Sequence, residues 1–267
     1  MKEARTAFEK AVKLRPNFAG ARIGLAYSLL LLRKPRNAEE EAVYALTIDP
    51  QNVEARYVIG AARLQASDSE GALEEANAAL KIDPQFAPAY SLITQALLAT
   101  VSAQPFMSSS EPADVRNQQL REQNQRLREA ADNLEKFLQL SPNTANAASW
   151  REQLDTLRAH SKSPDATNDE HMVFSIADVT TKAVLFHKPE PGFTESARRN
   201  EVSGTVKLRL VLAADGTIKH ILVLRSLSHG LTEKAITAAR SIRFTPAIKD
   251  GRYVSQLAVI EYSFNVY

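Results

Sequence analysis

The sequence predicts two domains in series. An all-α solenoid of repeated helix pairs comes first, and a small α+β domain with a three-stranded antiparallel sheet follows. Three observations carry this reading. Pro16, Pro50 and Pro84 stand 34 residues apart, each just after a helical pattern. Val206, Leu208, Leu210 and Leu212 alternate with Thr205, Lys207, Arg209 and Val211, as in a strand with one buried face. Between the two patterns, Ser161 to Glu170 is polar, acidic and interrupted by Pro164, too polar to bury. The boundaries are residues 1–160 for the repeats, 161–175 for the linker and 176–267 for the second domain.

The repeats agree at more than the prolines. Leu14-Arg15-Pro16, Ile48-Asp49-Pro50 and Ile82-Asp83-Pro84 each end a helix. Ala38, Ala45, Ala72 and Ala79 are small residues placed where paired helices approach closely. Leu25-Ala26 and Ile59-Gly60 hold matching places in the first helix of each pair. The first unit is only a second helix, Lys2 to Leu14. The third full unit is interrupted: after a helix from Ala87 to Ala99, a loop from Thr100 to Glu111 carries Pro105 and Ser108-Ser109-Ser110. Ser110 is the expected N-cap of a long helix ending at Leu140, with Pro112 near its first turn. Leu120, Leu127 and Leu134 fall every seven residues. This extension either packs on another helix or stands as a solvated overhang. Thr144 to His160 reads as the terminal helix covering the last repeat, with Trp150, Leu154 and Leu157 buried.

From Met1 to about Pro142 the array resembles tetratricopeptide repeats. The resemblance implies a concave groove formed by the first helices of the pairs, and here Ile23, Tyr27, Leu30, Tyr57, Ala61, Leu64 and Gln95 line it. The Lys and Asn clamp by which some arrays hold a terminal carboxylate is missing, which favours an apolar peptide or an intramolecular partner. The alternative is that these residues only pack a short superhelix.

Val173, Phe174 and Ile176 read as a short strand ahead of the second domain. After the alternating strand, Asp215-Gly216 supplies a tight turn, since both residues tolerate positive φ. Ile218, Ile221 and Val223 make the return strand, and the step of three from Ile218 to Ile221 predicts a bulge. Leu231, Ala235, Ala238 and Ile242 follow at helical spacing. Gly251 marks a turn, and Val254, Ala258, Ile260, Tyr262, Phe264 and Val266 line one face of a long last strand.

This order of elements, with Pro189, Phe193, Ala197-Arg198-Arg199, Val202 to Val206, Asp215-Gly216, Ile242-Arg243-Phe244-x-Pro246 and Gly251, resembles the TonB C-terminal domain over about eighty residues. The resemblance implies a domain that engages outer-membrane transporters. Two departures stand out. Phe193-Thr194 replaces the usual Tyr-Pro at the start of the first helix, a segment the family uses to contact its partner, and Ile242 replaces a common Trp.

Composition narrows the function. The chain has 267 residues, 44% hydrophobic and 24% charged, and no cysteine, so thiolate metal sites and disulfides are excluded. From Ile176 onward 13 Lys and Arg face 8 Asp and Glu, net +5, against −3 for the rest. No basic cluster interleaves with stacking aromatics, which argues against nucleic acid. The five histidines lack metal-ligand spacing, and no nucleophile elbow, phosphate loop or paired acid and base appears. Neither an enzyme nor a cofactor is expected. The longest aliphatic run, Leu29 to Leu32, is far short of a membrane span, and Met1-Lys2-Glu3 leads straight into a helical pattern. The sequence thus reads as part of a longer chain whose membrane anchor lies elsewhere.

The expectation is a non-enzymatic protein-binding protein of the bacterial periplasm, held at the inner membrane and coupling to an outer-membrane transporter. The last strand should be a sheet edge that accepts a partner strand. Arg252, Val254, Gln256, Ala258, Ile260 and Tyr262 are its candidate contacts, with Phe193 and Thr194 as a second contact. The rival reading is a periplasmic scaffold in which the C-terminal domain docks passively.

Overall fold

A computed structural model describes residues 2–103, 112–144, 147–161, 173–176 and 178–265. The expectations for Pro105, Ser108 to Ser110, most of the linker and Val266 fall outside these residues, as does the side chain of Leu120. By internal contacts the chain divides into two compact units: Met1–Thr100 with Glu129–Arg151, and Val101–Arg128 with Glu152–Tyr267. The expected boundaries at 160 and 175 both lie within the second.

The first unit is built from the helices α1 (Lys2–Leu14), α2 (Ala19–Leu31), α3 (Pro35–Ile48), α4 (Val53–Gln65), α5 (Ser69–Ile82) and the greater part of α6 (Ala87–Ala103). Parts of α7 (Ala113–Leu140) and α8 (Ala147–Ser161) complete it. The 34-residue period is literal, since α2 and α4 have equal lengths and start 34 residues apart, as do α3 and α5. Helix α6 extends to Ala103, beyond the expected Ala99.

Local chemistry repeats with the same period. Ala38, Ala42 and Ala45 on α3, and Ala72, Ala76 and Ala79 on α5, are fully buried. Their lack of bulk is what lets the paired helices close, because an interior packs at crystal density. Asn52 and Asp68 cap α4 and α5 by accepting from Ala55 N and Gly71 N. Arg33 and Ser67, also 34 residues apart, take positive φ just past α2 and α4. There the amides of Lys34 and Asp68 return to the carbonyls of Leu29 and Arg63, which ends each helix cleanly. Arg22 pairs with Glu41 at 2.6 Å, and the equivalent Arg56 with Glu75 at 3.2 Å. Phe137 meets Trp150 edge-on at 5.8 Å.

In the second unit the strands are β1 (Val173–Phe174), β2 (Val184–His187), β3 (Gly204–Leu212), β4 (Ile218–Arg225), β5 (Arg243–Thr245), β6 (Ala247–Lys249) and β7 (Arg252–Phe264). Helix α9 (Glu195–Arg199) precedes β3, and α10 (Leu231–Arg240) follows β4. The antiparallel core β4-β3-β7 is the expected sheet, but the expected count of three strands is corrected. Parallel β1 and antiparallel β6 also pair with β7, and β2 pairs with β5 in a separate ribbon. These additions have two to four residues each, too few to show alternation in a sequence.

Asp215 and Gly216 turn the β3–β4 hairpin, with Gly216 at φ +81°. The Asp215 carboxylate accepts from Lys219 Nζ and from Thr217, which holds its pKa well below the usual carboxylate range. The pairing slips by one residue at His220 and Ile221, and His220 lies at φ +49°. One face of the sheet carries Val206, Leu208, Leu210, Leu212, Ile260, Tyr262 and Phe264 against Leu231, Ala235 and Ala239 of α10.

The other face of β3 is not the solvated face that its sequence suggests. Arg209 is only 4% exposed and Val211 is buried as well. The C-terminal half of α8, which belongs to this unit, lies there: His160 Nε2 donates to the His220 carbonyl at 2.6 Å, and Glu152 pairs with Arg240 at 3.0 Å. Burial, and next the positive charge of Arg209, push the His160 imidazole down to about 3. Burial also lowers Arg209 to about 10, so it keeps its charge at neutral pH. Neutral His160 therefore favours the folded state above its unfolded pKa near 6.5, and that advantage is lost as pH falls toward 3. Each pH unit in this window removes at most about 1.4 kcal/mol. Thermal melts of the chain from pH 7 to pH 4 should show a declining Tm, with a smaller decline for His160→Gln. Parallel declines in the two proteins would show that another group sets the acid limit.

Candidate protein-binding surfaces

Strand β7 supplies the first surface. Along Gln256 to Phe264 one side pairs residue by residue with β3, from Leu212↔Gln256 to Gly204↔Phe264. On the opposite side β1 covers only Ser255 and Gln256. The chain then turns away, with the Asp178 amide bonding to the Ser175 carbonyl. Among the described residues no strand pairs with the far side of Leu257 to Phe264. Every second residue of this eight-residue run thus presents its main-chain groups along one edge, the arrangement that accepts an added strand.

The edge is partly managed. Lys188 Nζ donates to the Glu261 carbonyl at 2.9 Å and sits 4.7 Å above the Tyr262 ring. Lysine beside an open edge discourages casual pairing. Burial, helped by Glu190, raises the Tyr262 hydroxyl to about 12, and that hydroxyl has no hydrogen-bond partner among the described residues.

The six edge residues read from the sequence separate here. Arg252 and Val254 lie opposite Lys249 and Ala247 of β6, and Gln256 lies between β1 and β3. Gln256 also accepts from the Ala183 amide through its side chain. Ala258, Ile260 and Tyr262 fall within the open run, but Ile260 and Tyr262 direct their side chains into the core. The main-chain groups of these three residues face β3, so the open side is supplied by the odd-numbered residues between them.

Phe193 and Thr194 reach the far end of the same strand. Phe193 packs edge-on to Phe264 at 5.7 Å. Thr194 caps α9 by accepting from Ala197 N, and its hydroxyl donates to the His229 carbonyl at 2.6 Å. Threonine thus serves as the cap at the position where the family usually carries proline.

The repeat residues also divide. Ile23 and Leu30 are buried among Ala45, Ala55, Val58 and Ile59 and offer no surface. Tyr27, Tyr57, Ala61 and Leu64 are half-buried, and Gln95 is exposed. Tyr27 and Tyr57 stand 6.0 Å apart, and Tyr57 meets Phe86 edge-on at 6.0 Å. The result is a ladder of three rings across successive repeats. Burial raises both tyrosine hydroxyls above their ordinary range, with Tyr57 and Glu54 adding to the effect at Tyr27. Phe86 was not among the residues expected, because it precedes its helix and the periodic pattern does not include it.

A cleft of about 290 Å³ in the second unit is lined by Glu152, Asp155, Ile218, His220 and Arg240. Among the described residues no group of three His, Asp or Glu side chains is placed to hold a metal ion. No helix there is long and apolar enough to cross a membrane.

Two crystal structures of MamA resemble the chain over 59% of its length, at TM-scores of 0.39 and 0.40 and identities of 18% and 19%. The match covers 80% and 71% of those chains. Curated proteins give no significant match. Residues 189–266 match the family model described as Gram-negative bacterial TonB protein C-terminal. Residues 189–266 therefore form a TonB C-terminal domain, which follows in sequence an array of helix pairs with a 34-residue period.

Proposed function

We propose that the protein couples to an outer-membrane transporter in the periplasm by accepting a transporter strand along β7, while the repeats hold a second protein. Both modules are of protein-interaction type. The observation that carries the proposal is the open edge from Leu257 to Phe264, together with the family match over the same strand. Each added main-chain bond contributes about 0.5–1.5 kcal/mol net, so four or five bonds give a workable affinity without a deep pocket. A second reading, a scaffold with passive docking, draws on the partial occupation of this edge by β1 and Lys188.

The edge also has a parity. Main-chain groups along a strand alternate sides. Lys188 reaches the Glu261 carbonyl from outside the β3–β7 pair, which assigns the outward groups to 257, 259, 261 and 263. Proline removes one N–H. Val259→Pro should abolish binding of a transporter's periplasmic peptide while the domain still melts cooperatively. Ala258→Pro should unfold the domain instead. Normal peptide affinity in a folded Val259→Pro protein would rule out strand addition on this edge, and Phe193 with Thr194 would become the better contact.

The repeat surface is tested at Tyr57, whose ring touches both neighbours in the ladder. Peptides selected from a displayed random library on the intact protein should bind Tyr57→Ala about tenfold more weakly or worse, since rings at a contact carry much of its energy. Gln95→Ala at the exposed rim should bind nearly as before. A lowered Tm with unchanged peptide binding would make the ladder a packing feature alone.

A further inference from the structure

We propose that the outer face and free edge of the β2–β5 ribbon bind an extended, acidic peptide strand of a partner protein. Ala183 and Lys188, on either side of β2, bond to Gln256 and Glu261 of β7, but among the described residues β2 makes no strand pair with β7, and it precedes the family-matched segment.

The ribbon has two unlike faces. Ala183, Leu185 and Phe244 point inward and pack on the core. Val184 and Phe186 point outward and are 58% and 67% exposed. Strand edges in soluble proteins are usually blunted by charge or proline, and bulges there carry polar residues or turn the edge aside. Here the pairing skips between Leu185 and His187, so Phe186 is the extra residue, an aromatic side chain in open view. Strand β2 pairs with β5 alone among the described residues, so its other side has free main-chain groups. An apolar pair two residues apart beside a free edge fits a partner strand whose own apolar residues alternate.

Charge decides the rest of the partner's chemistry. Residues 180–188 and 240–249 contain five Lys and Arg and no Asp or Glu. Three of these cations are engaged: Lys188 at Glu261 and Tyr262, Arg240 at Glu152, and Lys249 over the Phe174 ring at 4.3 Å. Lys182 and Arg243 are exposed and flank Val184 and Phe186 along the ribbon. A strand bearing carboxylates on either side of two apolar residues answers this pattern. An anionic bilayer would meet the cations but make no use of the strand edge.

The test uses the full chain and a fluorescent hexapeptide alternating Glu and Val, with a Lys-for-Glu peptide as control. Anisotropy should show binding of the acidic peptide alone, weakening as salt rises. Val184→Thr with Phe186→Ser should reduce affinity by about tenfold or more with Tm unchanged, because both side chains are exposed. Lys182→Glu with Arg243→Glu should abolish binding, and Val259→Pro should leave it intact. Equal binding of the two peptides would overturn the proposal. So would loss of binding in Val259→Pro with retention in the Phe186 variant, which would place the peptide on β7. Binding to phosphatidylglycerol-containing vesicles with no affinity for the acidic peptide would overturn it in favour of a lipid surface.

Discussion

Every β-strand has two hydrogen-bonding sides, and a strand left with one side empty must be covered, defended or used. In the C-terminal domain β7 is the longest strand, and β3 satisfies only one of its sides. Much of the surrounding architecture responds to this. Strand β1 covers two residues of the empty side, and the turn after it releases the rest. Lys188 offers a charged donor that a competing strand must displace. Phe193 fixes the start of α9 against Phe264 at the end of the run. An edge so placed is protected from casual association yet stays within reach of a strand that makes enough bonds to evict one lysine.

The strand beside it obeys a different constraint. Strand β3 is buried on both faces, so the side chains expected in solvent had to find cover. Val211 does so at no penalty. Arg209 does so as a buried cation whose Nε has no partner among the described residues. Burying a charge is expensive unless it is compensated, and the neighbouring His160 responds by staying neutral. The helix segment carrying His160 is held by the Glu152–Arg240 pair and by a short hydrogen bond to a carbonyl at the bulge, where His220 has left the regular strand conformation. The irregular pairing predicted from the step between Ile218 and Ile221 therefore has a structural use: it turns a main-chain acceptor out of the ladder.

Periodicity made the larger features legible. A 34-residue recurrence of proline, alanine and paired apolar residues can arise from few architectures, and the helices keep that spacing. The β3–β4 hairpin was legible because alternation and an Asp-Gly turn are local properties. Three kinds of feature were not. Strands of two to four residues have no period, so β1, β2, β5 and β6 left no trace beyond Val173-Phe174. Burial of Arg209 depends on a helix about fifty residues earlier, and charge alone reads as exposure. Among the groove residues, Ile23 and Leu30 share α2 with Tyr27, and only about 40° and 60° of rotation around the helix separate core from surface. Phe86, which completes the aromatic ladder, stands outside the helical pattern, and only its spacing from Phe18 by two repeats points to it.

Strand β7 leaves one side open between Leu257 and Phe264, and we propose that a partner strand closes it. Amide hydrogen exchange, resolved by residue in the free chain and with a bound transporter peptide, tests this most directly. Alternation is expected in the free protein: fast exchange at 259, 261 and 263, slow exchange at 258, 260, 262 and 264 and at 257 beside β1, and protection of the fast set on binding. Uniform slow exchange along β7 in the free protein, or an unchanged pattern with peptide bound, would contradict it.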